Sequence, residues 1–106
     1  MVSYEQIVQF SNSIAKLYQP ERIILFGSRA YGTPGPDSDV DLLVIMPFEG
    51  HHVYKAVEIL EQTKPRFPVD LLVRTPDHVQ QRLELNDYFL RDVLTKGLVL
   101  YASANE

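Results

Sequence analysis

The string VDLLV stands twice in this chain, at Val40–Val44 and at Val69–Val73. Each copy is apolar except for one aspartate at its second position. Strand side chains alternate between the two faces of a sheet, so a run that is apolar at consecutive positions needs cover on both faces. The echo is not read as a duplication. It predicts two neighbouring strands, each presenting one aspartate at a similar level, in a sheet with helices packed on it.

The remaining periodicity supplies those helices. Ile7, Val8, Phe10, Ile14, Ala15, Leu17 and Tyr18 recur at helical spacing. Ser3 is placed to cap this helix, with Gln6 as its capping-box partner, and Pro20 ends it. Arg22–Phe26 (RIILF) reads as a short buried strand. Gly27-Ser28 leads into a helical turn through Tyr31, and Gly32–Pro36 (GTPGP) is a loop. The second strand covers Val40–Met46 and stops at Pro47. His51–Thr63 reads as a helix with Val53, Ala56, Val57 and Leu60 on its apolar side. Val69–Val73 is the third strand, and Thr75-Pro76-Asp77 is a helix start. A further helix covers Asp87–Lys96, closed by Gly97. Val79, Leu83, Leu85, Phe89, Leu90, Val93 and Leu94 are expected in the core. Leu98–Tyr101 reads as a last strand before a polar tail. The order α-β-α-β-α-β-α-α-β predicts an α/β (α+β) fold: a small mixed sheet with helices packed against it, one domain over residues 1–106.

Composition removes several classes of function. The net charge of −4 and the scattered acidic residues argue against a basic nucleic-acid face. A nucleotide held through a divalent cation stays open. There is no cysteine, so disulfides, thiolate catalysis and thiolate metal sites are excluded. No apolar run approaches the roughly 20 residues that span a bilayer, and the N-terminus has no signal-peptide pattern. The expected location is the cytoplasm. A domain this small has little area for a second module that would enclose a large substrate.

The chemistry is concentrated in GSRAYGTPGPDSDVDLLV, Gly27 to Val44. Asp37, Asp39 and Asp41 crowd the mouth of an apolar strand, where like charges repel. Asp39 and Asp41 lie two residues apart, so on a strand they point the same way with Cα atoms roughly 6.5–7 Å apart. Asp70, if its strand lies beside that of Asp41, completes a carboxylate triad. Hard oxygen ligands in this number suit one or two Mg²⁺ ions that share their shell with substrate phosphates. Upstream, Gly27 lets backbone come close to a phosphate, and Ser28 at the start of a helical turn adds a hydroxyl and backbone N–H groups. Phosphate donors and metal ligands therefore stand at the two ends of one short segment.

Gly27-Ser28, ten residues, then Asp39-Val40-Asp41 resembles the signature of the DNA polymerase beta-like nucleotidyltransferase superfamily. The fuller GSRAYG…SDVDLLV in so short a chain is similar to its minimal nucleotidyltransferase (MNT) branch, over nearly the whole length. The resemblance implies a nucleotidyltransferase-like core. It implies Asp39, Asp41 and Asp70 as catalytic metal ligands, with Asp70 a ligand or the base for the acceptor hydroxyl. It implies Gly27 and Ser28 as contacts of the triphosphate of ATP. Arg29 often follows the serine in this family, without an assignable contact. Members of this branch resemble antitoxins paired with HEPN-domain ribonuclease toxins, and active ones add AMP to a toxin tyrosine. The implied function is metal-dependent transfer of AMP from ATP to such a tyrosine.

Plainer readings stand beside this. Gly27-Ser28 alone is a capped turn, paired aspartates alone are a solvated strand edge, and Asp70 alone is an exposed strand start. His51, His52 and His78 are expected to be solvated, and Arg74, Lys55 and Tyr31 to lie at the surface. Two other functions fit the same residues: an antitoxin acting by contact alone, and a small-molecule nucleotidyltransferase of the aminoglycoside-modifying kind. A homodimer closing over the site would favour the latter.

Overall fold

In the computed structural model, which describes residues 2–104, helix α1 (Tyr4–Tyr18) opens the fold. Ser3 caps it by accepting from the Gln6 N–H, and the Gln6 side chain accepts from the Ser3 N–H. Gln19 then takes a left-handed conformation that ends the helix before Pro20. The elements that follow are β1 (Arg22–Phe26), α2 (Ser28–Tyr31), β2 (Val40–Ile45), α3 (His52–Thr63), β3 (Val69–Arg74), α4 (Pro76–Glu84), α5 (Tyr88–Lys96) and β4 (Leu98–Ala102). The expected order holds throughout. The expected domain also takes in residues 1, 105 and 106, which lie outside the described residues.

The strands form one mixed sheet in the order β3-β2-β1-β4. β1 runs antiparallel to β2 and β4, while β2 and β3 are parallel. Parallel neighbours need a crossover, and α3 provides it. Ile23, Leu25, Leu42, Val44, Leu71 and Val73 face α1 and α3; Ile24, Phe26, Leu43, Ile45 and Leu72 face α4 and α5. Both faces are covered, as the repeated apolar string requires. Gly97 lets α5 turn directly into β4, because a Cβ there would run into Ile24 and the Leu25 carbonyl. Among the described residues no helix is long and apolar enough to cross a membrane.

Two expectations about burial are corrected. Helix α3 buries Ile59, with Ala56 and Leu60 packed alongside, whereas Val53 and Val57 are half exposed. Its inward stripe runs along the 56, 59, 60 row, and Val53 and Val57 flank it. Val79, Leu90 and Val93 are buried and Leu83 and Leu94 pack against them, but Leu85 and Phe89 are exposed. Leu85 is the residue that closes α4, and Phe89 stands in the first turn of α5 at the rim of the sheet.

Candidate active site

Strand β1 ends at Phe26, and Gly27 takes φ 76° and ψ −158°, a region essentially open to glycine alone. The chain turns there into α2, whose Ala30 and Tyr31 N–H groups donate to the Gly27 carbonyl at 3.0 and 3.1 Å. The absence of a side chain has a second consequence. A Cβ at Gly27 would occupy the place of the Asp41 carboxylate. The glycine therefore allows both the sharp corner and the approach of an acid to it. Ser28, half-buried, is the first residue of α2.

Asp41 is the second residue of β2. It pairs with Phe26 across the antiparallel ladder and with Asp70 across the parallel one. In-register neighbours on adjacent strands are roughly 4.8 Å apart and share a face, here the face of α4 and α5. The two copies of VDLLV are thus neighbours in exact step, with their aspartates side by side. Asp39 precedes β2 and is exposed, as is Asp70, while Asp41 is half-buried. Asp37 lies exposed in the turn before them. Phe26 and Phe89 form an edge-to-face pair, centroids 5.6 Å apart, that makes an apolar wall on the same face.

This corner is electrostatically loaded. Burial, and then the charges of Asp70 and Asp39, hold the Asp41 carboxyl above its usual range. A divalent cation would offset these causes by favouring the ionised form, and clustered carboxylate oxygens are the donor set that Mg²⁺ takes. As placed, however, no three His, Cys, Asp or Glu side chains among the described residues stand close enough together to hold a metal ion. The corner gathers the acids without closing them into a three-ligand set.

Arg29, to which the sequence assigned no contact, fastens the site together. Its Nε and Nη2 both donate to the Ser38 carbonyl, at 3.0 and 2.8 Å, and Nη1 donates to the Val2 carbonyl at 3.3 Å. Ser38 immediately precedes Asp39, and its hydroxyl accepts from the Gly35 N–H at 2.8 Å. One guanidinium on α2 thereby ties the glycine–serine corner to the loop that delivers the acids. Adjacency to Ser28 was the sole sequence signal for it. The other residues weighed from sequence make no contact with the acids that the structure records. Lys55 pairs with Glu58 on α3 at 3.3 Å, and Tyr31 is exposed. Arg74 closes β3 at the end opposite Asp70, with His51, His52 and His78 around it.

The profile of the nucleotidyltransferase domain family matches residues 7–100, nearly all of the chain. The chain belongs to this family. The nucleotidyltransferase domain described here also has structural relatives. A Sulfolobus solfataricus protein assigned as a nucleotidyltransferase superposes with a TM-score of 0.65 at 18% identity, over 92% of this chain and 78% of that one. A toxin–antitoxin crystallised with AMP-PNP gives 0.55 at 19% identity, over 98% and 77%. A substituted form of the toxin–antitoxin MntA-HpeT gives 0.54 at 18%, also over 98% and 77%. At such identities these likenesses establish the fold: a small α+β nucleotidyltransferase core. No curated protein matches the chain significantly.

Proposed function

We propose that this nucleotidyltransferase acts as a single minimal domain that moves AMP from ATP to a tyrosine hydroxyl of a HEPN-domain toxin, and so serves as that toxin's antitoxin. The observation that carries the catalytic part is the register that sets Asp41 beside Asp70 beneath the Gly27-Ser28 corner. The likeness to toxin–antitoxin structures, one of them with AMP-PNP, supports the choice of partner and nucleotide.

Asp39, Asp41 and Asp70 would hold one or two Mg²⁺ ions, which would require the exposed Asp39 and Asp70 side chains to turn toward Asp41. Bound there, the metal supplies charge neutralisation for the triphosphate and the leaving group. Ser28 and the first backbone N–H groups of α2 orient the phosphates. Asp70 accepts the proton of the acceptor hydroxyl, whose oxygen forms the new bond to the α-phosphorus. The bond from that phosphorus to pyrophosphate breaks, and pyrophosphate leaves. Positioning and charge stabilisation provide the rate gain. An added nucleotide near an RNA-cutting site would repel RNA and block it sterically.

The test is mass spectrometry of the HEPN partner after incubation with ATP and Mg²⁺. The expected result is addition of AMP to a tyrosine, lost when Asp39 and Asp41 are both changed to Asn. Protection from the toxin that survives those changes, with no mass added, would replace this reading with neutralisation by contact.

A further inference from the structure

At the end of β2 and β3 remote from the carboxylates, a cavity of about 240 Å³ is lined by Phe48, His51, His52, Arg74, Thr75 and His78. Asp70 and Arg74 are four residues apart on one strand, so this cavity lies about 13 Å along β3 from the acids. Three imidazoles and a guanidinium meet here, brought in by the starts of α3 and α4 and the end of β3.

The donors are poorly used within the protein. Arg74 is half-buried, yet among the described residues its side chain makes a single hydrogen bond, from Nη1 to the Val73 carbonyl, at 2.8 Å. No carboxylate among them lies within ion-pair distance of it. A guanidinium carries five N–H donors, so most of its fork is available. The His51 Nδ1 accepts from the Val53 N–H at 3.2 Å, which leaves Nε2 as the protonated nitrogen of the neutral ring. Thr75 accepts the His78 N–H through its hydroxyl oxygen at 3.1 Å and keeps its own proton to donate. Asp77, in the same turn, is exposed and does not line the cavity.

The local field agrees with the geometry. Burial pulls Arg74 below its usual range with no acid pulling the other way. Burial, then Arg74, His51 and His78, pull His52 down. One guanidinium and three imidazoles are gathered here, and no carboxylate lines the cavity.

We propose that this cavity is a binding site for a phosphate-class oxyanion, held by the Arg74 fork with His51, His52, His78 and the Thr75 hydroxyl. Arginine matches such oxygens with two parallel N–H bonds. The ligand is a phosphate group, either free or carried on pyrophosphate or a nucleoside monophosphate. The site is independent of the carboxylates and of the transfer reaction, and needs no metal.

The experiment is backbone amide NMR of the full chain with a chelator present, at constant ionic strength, titrated separately with inorganic phosphate, pyrophosphate and AMP. Saturable shifts at His52–Tyr54 and Asp77–Val79, with a Kd on the order of 1 mM or tighter for at least one of them, are expected. Tightest binding of inorganic phosphate points to the free ion; about tenfold tighter binding of pyrophosphate or AMP points to the larger ligand. Arg74→Gln should weaken binding about tenfold or more, since it removes a charge-assisted fork. His78→Gln should weaken it less, and serves in place of Arg74→Gln if that variant does not fold. Shifts confined to Gly27–Tyr31, shifts that do not saturate, or affinity unchanged in the folded variants would overturn the proposal. A failure here leaves the transfer reading standing, because neither magnesium nor an acceptor enters the measurement.

Discussion

Strands β2 and β3 run side by side from an acidic end to a basic one. At their start Asp41 and Asp70 sit in register with Asp39 close by; at their end Arg74 sits among three histidines. Leu42, Leu43, Val44 and Val73 between them are fully buried, and Leu71 nearly so. Among the described residues neither end has an ion-pair partner for its charged groups. Some charges elsewhere are paired, as in Arg82–Asp87 at 3.0 Å and Lys55–Glu58 at 3.3 Å. Structural ion pairs neutralise themselves, whereas uncompensated clusters mark places where a ligand of opposite sign completes the balance. The two ends differ in how far they are prepared. The acidic end has a glycine-only corner and an arginine clamp built against it, and the basic end has a cavity.

The strongest way to break the contrast is to remove the acids. Asp39→Asn with Asp41→Asn should reduce nucleotidyl transfer by about 10³-fold or more, followed as release of pyrophosphate from ATP in the presence of acceptor. If activity persisted, the acidic end would be no more functional than a strand edge. Gly27→Ala comes next. It forces φ 76° on a residue with a Cβ and drives that Cβ into the Asp41 carboxylate. Urea unfolding should show a loss of roughly 1–3 kcal/mol, together with loss of transfer.

Arg29 sharpens the comparison by testing whether preparation matters. Arg29→Lys keeps the charge but loses the planar fork onto Ser38. We expect about a tenfold fall in kcat, with Asp41 and its neighbours chemically intact. Wild-type kcat in that variant would make the clamp a fold element only.

The Asp41 charge itself opposes folding. Its folded pKa is raised above the ordinary 3.8, so the folded state holds its proton to higher pH than the unfolded chain does. Stability from this group is therefore lost as pH rises from the ordinary Asp value through the raised one. Asp41→Asn removes the penalty. Without metal at neutral pH the variant should melt a few degrees higher, corresponding to roughly 0.2–1 kcal/mol. The gain should vanish as pH falls below the ordinary Asp range. Comparing variant with wild type cancels the opposite pH dependence of Glu58, lowered first by the Tyr18 hydrogen bond, and of Asp87, lowered first by the Leu90 N–H. The smallest effect concerns the separation of the two ends. Asp41→Asn and Arg74→Gln should add in stability to within about 0.5 kcal/mol, because the sites lie more than about 7–10 Å apart and share no partner. A larger coupling, measured by a double-mutant cycle of melting curves, would make them one electrostatic system.

Much of the site was legible because it is local. Gly27-Ser28 and Asp39-Val40-Asp41 are close in the chain, although Asp39 stands just before β2 and not on it, so strand alternation does not fix its direction. Asp70 could be anticipated only through the echo of VDLLV. Arg29 was visible as a residue and opaque as a contact, since its partners Ser38 and Val2 are set by how the loop folds back. The outward turn of Val53 and Val57 was missed because periodicity defines a stripe on a helix but not its exact azimuth against a sheet. The histidines are solvated as expected, His51 and His78 exposed and His52 half-buried; their meeting with Arg74 was not legible, because Arg74 comes from another element.

Chain order, element types, the double-sided cover of the sheet and the identity of the acids follow from residue type and spacing, which act over a few positions. Which residues stand opposite one another does not. The step that puts Asp41 beside Asp70, the clamp of Arg29 on Ser38 and the meeting of Arg74 with three histidines depend on strand register and on where α3 and α4 begin in space. Those are decided by the packing of the whole core, because a slip of one residue would turn every buried side chain of a strand to the wrong face.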